Sequence, residues 1–108
     1  MIISFDTREL LECCSSLEMA EQRLGSARAQ ALVSLIADAE AFQNANELIE
    51  FFGSEAHVSE NGSISLAIGS DYRVEFVAAG VRFVRYADGR VDWTSVQRLK
   101  VVYLSRSP

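Results

Sequence analysis

Arg73, Arg98 and Lys100 are the residues whose types and spacing best suit a chemical task. Arg73 and Glu75 alternate with Tyr72, Val74 and Phe76, and Arg98 and Lys100 alternate with Leu99, Val101 and Tyr103. A period of two marks strands with one buried and one wet face, so the cations gather on the side opposite the apolar residues. If the two strands are neighbours, guanidinium forks and an ammonium share one polar face. Such a clamp fits phosphate oxygens and the negative charge that builds on phosphorus during transfer. The competing structural role for the same residues is cross-strand pairing with Glu75 or other acids.

The remaining polar chemistry is sparse. His57, the only imidazole, lies in a polar stretch ahead of a hairpin, where it is expected to be solvated. Tyr103 is in phase with Leu99 and Val101 and is expected to be a core ring with a wet tip. Trp93 is expected to cap the core of a small domain, with base stacking as its alternative. Lys100 would serve as a base only if neighbouring cations depressed its pKa. The adjacent Cys13 and Cys14 are poor candidates for a disulfide, and they read as reduced, small apolar residues on a helix. No zinc spacing, glycine-rich phosphate loop or nucleophile elbow is present, and no cofactor is expected.

These side chains must be positioned by a single domain spanning residues 1–108, long enough for one core. The chain lacks a continuous apolar run of membrane length and a secretory leader pattern, so a cytoplasmic protein with no membrane partner is expected. Its net charge of −5 is unevenly spread. Residues 1–62 hold three arginines against eleven carboxylates, net −8, whereas residues 63–108 hold seven cations against four carboxylates, net +3. Acidic helices backing a sheet that faces a polyanion would produce this asymmetry, as would ordinary scattering of surface charge.

Along the chain, Ile2, Ile3 and Phe5 form a short β-prone run, and Asp6-Thr-Arg-Glu9 offers a helix start with Asp6 as its cap. A second start signal follows at Ser15-Ser-Leu-Glu18, and Gly25 suits the end of that segment. The recurrence of Ala31, Leu32, Leu35, Ile36, Ala39 and Phe42 predicts the longest helix, from Ala27 to about Gln43, paired with the first as a hairpin packed on a sheet. Leu48, Ile49, Phe51 and Phe52 supply one further turn or strand. Strands are predicted at Ser63–Ile68, Tyr72–Val77, Val81–Tyr86 and Arg98–Leu104, with Arg106, Ser107 and Pro108 expected to fray. The class is α+β, with the N-terminal strand and the helical hairpin packed on a mainly antiparallel four- to five-stranded sheet.

The run Asp71-Tyr-Arg-Val-Glu-Phe, followed by Asp88-Gly-x-Val-Asp-Trp-x-x-Val96-x-Arg98-Leu-Lys100-Val, resembles the plasmid-maintenance killer proteins of the RelE/ParE toxin superfamily, particularly their HigB-like branch. The opening Ile2-Ile-Ser-Phe-x-Thr-x-Glu-Leu and the segment Ala20-Glu-x-x-Leu-Gly25 are similar to the same branch. The resemblance implies a RelE-like fold and a toxin that associates with an antitoxin, commonly a helix-turn-helix protein. It further implies a ribosome-dependent mRNA endonuclease, or a descendant of one, with Arg73, Arg98 and Lys100 in the site. Relatives commonly close the last strand with an aromatic and His pair, where this chain reads Tyr103-Leu-Ser-Arg-Ser-Pro. The alternatives are a catalytically inactive RelE-fold module that docks an antitoxin or other protein, and a ParE-like gyrase inhibitor. Homodimer formation through the Ala-rich helix is a further expectation.

Overall fold

The computed structural model describes residues 1–106. Among them the chain forms β1 (Ile2–Phe5), α1 (Arg8–Ser15), α2 (Leu17–Leu24), α3 (Ser26–Ala41), α4 (Ala45–Phe52), β2 (Ala56–Val58), β3 (Ser63–Ile68), β4 (Tyr72–Ala78) and β5 (Arg98–Arg106). The five strands make one sheet in the order β1-β5-β4-β3-β2. Only β1 and β5 run parallel; every other pair is antiparallel. The fold is therefore α+β, with a mixed but mainly antiparallel sheet.

Local chemistry explains where the helices begin. Thr7, rather than Asp6, caps α1 by accepting a bond from the Leu10 N–H at 3.1 Å. Ser16 caps α2 through the Met19 N–H at 3.3 Å, so the predicted first helix is two short ones that break at that serine. Asn44 accepts from the Glu47 N–H at 3.0 Å while the Glu47 carboxylate accepts from the Gln43 N–H at 2.6 Å. This reciprocal cap commits the segment expected to be a turn or strand to the helix α4. Gly25 joins α2 to α3 with φ +84°, a value that strains any residue carrying a Cβ.

The core lies between the helices and one face of the sheet. Ile64, Leu66 and Ile68 of β3, Val74 and Phe76 of β4, and Leu99 and Val101 of β5 are buried there. Facing them are Ala29, Leu32, Leu35 and Ile36 of α3, Ala20 and Leu24 of α2, and both cysteines of α1. Burial pushes the Cys14 thiol up to about 12, with the neighbouring Cys13 adding to the effect, and raises Cys13 as well. Both cysteines are free.

Three further expectations are corrected. Tyr103 is not a core ring: it is 64% exposed and stands opposite Glu75 on the uncovered face. The cause is a β-bulge, in which Phe76 pairs with Val101 but Glu75 pairs with Tyr103, leaving Val102 as an extra residue that shifts the phase of β5. Residues 81–86 form no strand; they belong to a loop tied by a single Arg85–Val91 bridge. Arg106 closes β5, while Ser107 and Pro108 lie outside the described residues. Trp93 is half-buried against the core.

Candidate functional site

The face of the sheet turned away from the helices carries the polar side chains. Alternation from the buried positions assigns to it Ser63, Ser65 and Ala67 of β3, Arg73, Glu75 and Val77 of β4, and Arg98, Lys100, Tyr103 and Ser105 of β5. None of these is buried. Arg73, Arg98 and Lys100 thus share one face, on adjacent strands, but they are spread along it. Lys100 pairs with Val77, four positions from Arg73 along β4, which places their backbones roughly 13 Å apart. Arg98 lies two positions further, roughly 20 Å from Arg73. The three cations form a track rather than a single clamp.

Each cation has a distinct setting. Arg73 donates from Nε to the Ser65 hydroxyl at 2.7 Å and from Nη2 to the Ser65 carbonyl at 3.4 Å, which fixes its guanidinium over the β3–β4 pair. Lys100 Nζ lies 3.6 Å from the Asp6 carboxylate, with both side chains substantially exposed, so solvent screens the pair. Arg98 stands at the start of β5, its Cδ against the backbone of Gly80. Among the described residues no carboxylate lies within 4 Å of the Arg73 or Arg98 guanidinium.

Pairing also assembles a row that the sequence did not announce. His57 lies in β2 rather than in a loop, opposite Ser65; Ser65 is opposite Glu75; and Glu75 is opposite Tyr103. An imidazole, a hydroxyl, a carboxylate and a phenol therefore cross four strands in line, at about 4.8 Å per step. Arg73, bonded to Ser65, sits beside the middle of the row. A proton acceptor and a proton donor on either side of a fixed guanidinium suit acid–base work on a phosphodiester. The signal for His57 was the Ala56-His-Val58 alternation, three residues long and too short to stand out. For Tyr103 it was the Val101-Val102 doublet, which interrupts the alternation where the bulge falls.

The edge of this region is secured by a second cationic cluster. Arg28 of α3 grips Asp71 with two bonds, Nε at 2.8 Å and Nη2 at 2.6 Å, and its guanidinium lies 4.9 Å from the Tyr72 ring centre. The Arg106 guanidinium lies 5.5 Å from the same ring centre. This arrangement ties α3 to the β3–β4 turn and to the end of β5, so Arg28 is committed to structure. Among the described residues no group of three or more His, Cys, Asp or Glu is placed to hold a metal ion.

Fold and face together define a helix-backed sheet with one uncovered polar surface. No protein-family model, curated protein or solved structure matches the chain. No helix among the described residues is long and apolar enough to cross a membrane.

Proposed function

We propose that this chain is the toxin component of a toxin–antitoxin pair, of the HigB-like branch of the RelE/ParE superfamily, and that its uncovered sheet face cuts single-stranded messenger RNA on the ribosome. The observation that carries the proposal is the shared face of Arg73, Lys100 and Arg98 crossed by the His57–Ser65–Glu75–Tyr103 row. The chain-long motif resemblance supports the same reading.

In this reading the scissile phosphate lies over Ser65, with the Arg73 guanidinium against its non-bridging oxygens. Glu75 takes the proton of the adjacent 2′-hydroxyl, whose oxygen attacks phosphorus. His57 delivers a proton to the departing 5′-oxygen as its bond to phosphorus breaks. The products are a 2′,3′-cyclic phosphate and a 5′-hydroxyl end, and Arg73 offsets the charge of the phosphorane between them. Lys100 and Arg98 hold flanking phosphates, and Tyr103 offers its ring to a base.

The test combines binding and cleavage. Arg73→Ala and Arg98→Ala should each weaken binding of a single-stranded RNA and flatten its salt dependence by about 0.7 in log–log slope per lost phosphate contact. His57→Ala and Glu75→Gln should leave binding in place and lower cleavage of ribosome-bound mRNA by about a hundredfold. Tight antitoxin association with no cleavage by the unaltered chain would instead assign a non-cutting module. Unchanged salt slopes in both arginine variants would return these cations to structure and overturn the proposal.

A further inference from the structure

The loop joining β4 to β5, residues 79–97, bounds a cavity of about 390 Å³ at the end of the sheet, lined by Gly80, Arg82, Phe83, Ser95, Gln97 and Arg98 among others. This is within the range of small-ligand sites. Its walls are held in place. The Ala79 N–H donates to the Arg98 carbonyl at 2.9 Å, and the Asp92 N–H to the Val84 carbonyl at 2.9 Å. The Ser95 hydroxyl accepts from the Val84 N–H at 2.8 Å and donates to the Asp92 carbonyl at 2.6 Å. Gly80, at φ +83°, brings its backbone against the Arg98 stem: a Cβ there would sit 3.4 Å from Arg98 Cδ.

The chemistry of the lining is one-sided. It holds two arginines and no carboxylate. Among the described residues no acid lies within 4 Å of either guanidinium. One aromatic ring, Phe83, stands beside them, with the Arg85 guanidinium 5.3 Å from its centre. Gln97 adds an amide that can both donate and accept. A second cavity, lined in part by Glu60, Asp92 and Trp93, lacks this character because its Arg90 is bound to Asp88 at 2.7 Å.

We propose that the cavity binds a phosphorylated nucleoside, its phosphate held by Arg82 and Arg98 and its base set against Phe83. The site shares Arg98 with the sheet face but is otherwise separate from it, and a nucleotide bound there would occupy the end of the cationic track. The phosphate is that of a free nucleotide or of the end of an RNA strand.

The probes are adenosine 5′-monophosphate, inorganic phosphate, and a short RNA with and without a 5′-phosphate, each titrated into the full chain and followed by amide NMR. At about 1 mM the nucleotide should shift residues 80–83 and 95–98. Arg82→Ala should weaken it by at least about tenfold. Phe83→Leu, which keeps an apolar side chain under the loop, should weaken the nucleotide but not inorganic phosphate. Arg73→Ala should leave nucleotide binding unchanged, so loss of RNA cleavage and loss of this site are read separately. Tighter binding of the 5′-phosphorylated RNA than of the same RNA without its 5′-phosphate, with shifts at residues 80–83, assigns the site to a strand end, and equal binding of the two RNAs assigns it to the free nucleotide. Absence of shifts in these residues, or unaltered affinity in both Arg82→Ala and Phe83→Leu, overturns the proposal.

Discussion

The two faces of the sheet are made by the same three central strands, yet they obey opposite rules. On the helix side, Ile64, Leu66, Val74, Phe76, Leu99 and Val101 are at most 1% exposed, and each is set by what it packs against. On the other side, Ser65, Arg73, Glu75, Lys100 and Tyr103 are all at least partly open to solvent, and pairing alone aligns them. Substitutions on the first face are judged by volume, and those on the second by charge and reach. A strand can therefore change its chemistry without changing its fold, provided the alternation is kept.

The comparison breaks most readily at Phe76. Replacing it with Ala should cost about 3–5 kcal/mol in urea unfolding, whereas Glu75→Ala, one residue away on the open face, should cost less than about 1 kcal/mol. Equal losses would show that the second face is packed after all.

The buried thiols supply a pH test of the same contrast. Cys14 is raised to about 12 by burial, so the folded state holds a proton that the unfolded chain releases near pH 9. The contribution is fully present below about pH 9 and is lost as pH rises toward 12. Thermal unfolding of Cys14→Ala should show a flatter alkaline limb than the unaltered chain. An identical limb would mean that the thiol is accessible.

Deleting Val102 should straighten β5 while leaving Val101 inward, Tyr103 outward and Leu104 inward, because Val102 is the residue without its own partner. The loss of stability should be smaller than that of Phe76→Ala, and Tyr103 should stay opposite Glu75. Collapse of the fold would assign Val102 to the core. A small effect belongs also to Arg28→Ala, which breaks the bidentate pair with Asp71. With about a third of each side chain exposed, the loss should be about 1 kcal/mol and should shrink in high salt.

Much of this architecture is legible from periodicity. The alternation in Ile64–Ile68 and Tyr72–Phe76 marks β3 and β4, and Leu32, Leu35, Ile36 and Ala39 mark α3, because long segments repeat their environment often enough to be recognised. The shared face of Arg73, Arg98 and Lys100 followed from the same rule. What escaped were features that a period cannot carry. A bulge changes phase at one residue, which is why simple alternation puts Tyr103 on the wrong face. A strand of three residues gives too little pattern, which hid His57. Residues 81–86 imitate a strand, but Ser95 and Asp92 bind their backbone into a loop instead. For α4 the reciprocal cap at Asn44 and Glu47 outweighed the β-prone Ile49, Phe51 and Phe52.

Because β5 lies between β1 and β4, β1 is made well before the strand that houses it. Ile2–Phe5 pairs only with Arg98–Val101, so that ladder cannot close until β5 has left the ribosome. Until then β4 presents an open edge, and the helical layer has only part of the sheet to rest on. A nascent chain stalled before residue 98 would carry exposed backbone at that edge and an orphaned leading strand, a state suited to capture by chaperones or degradation rather than to slow completion.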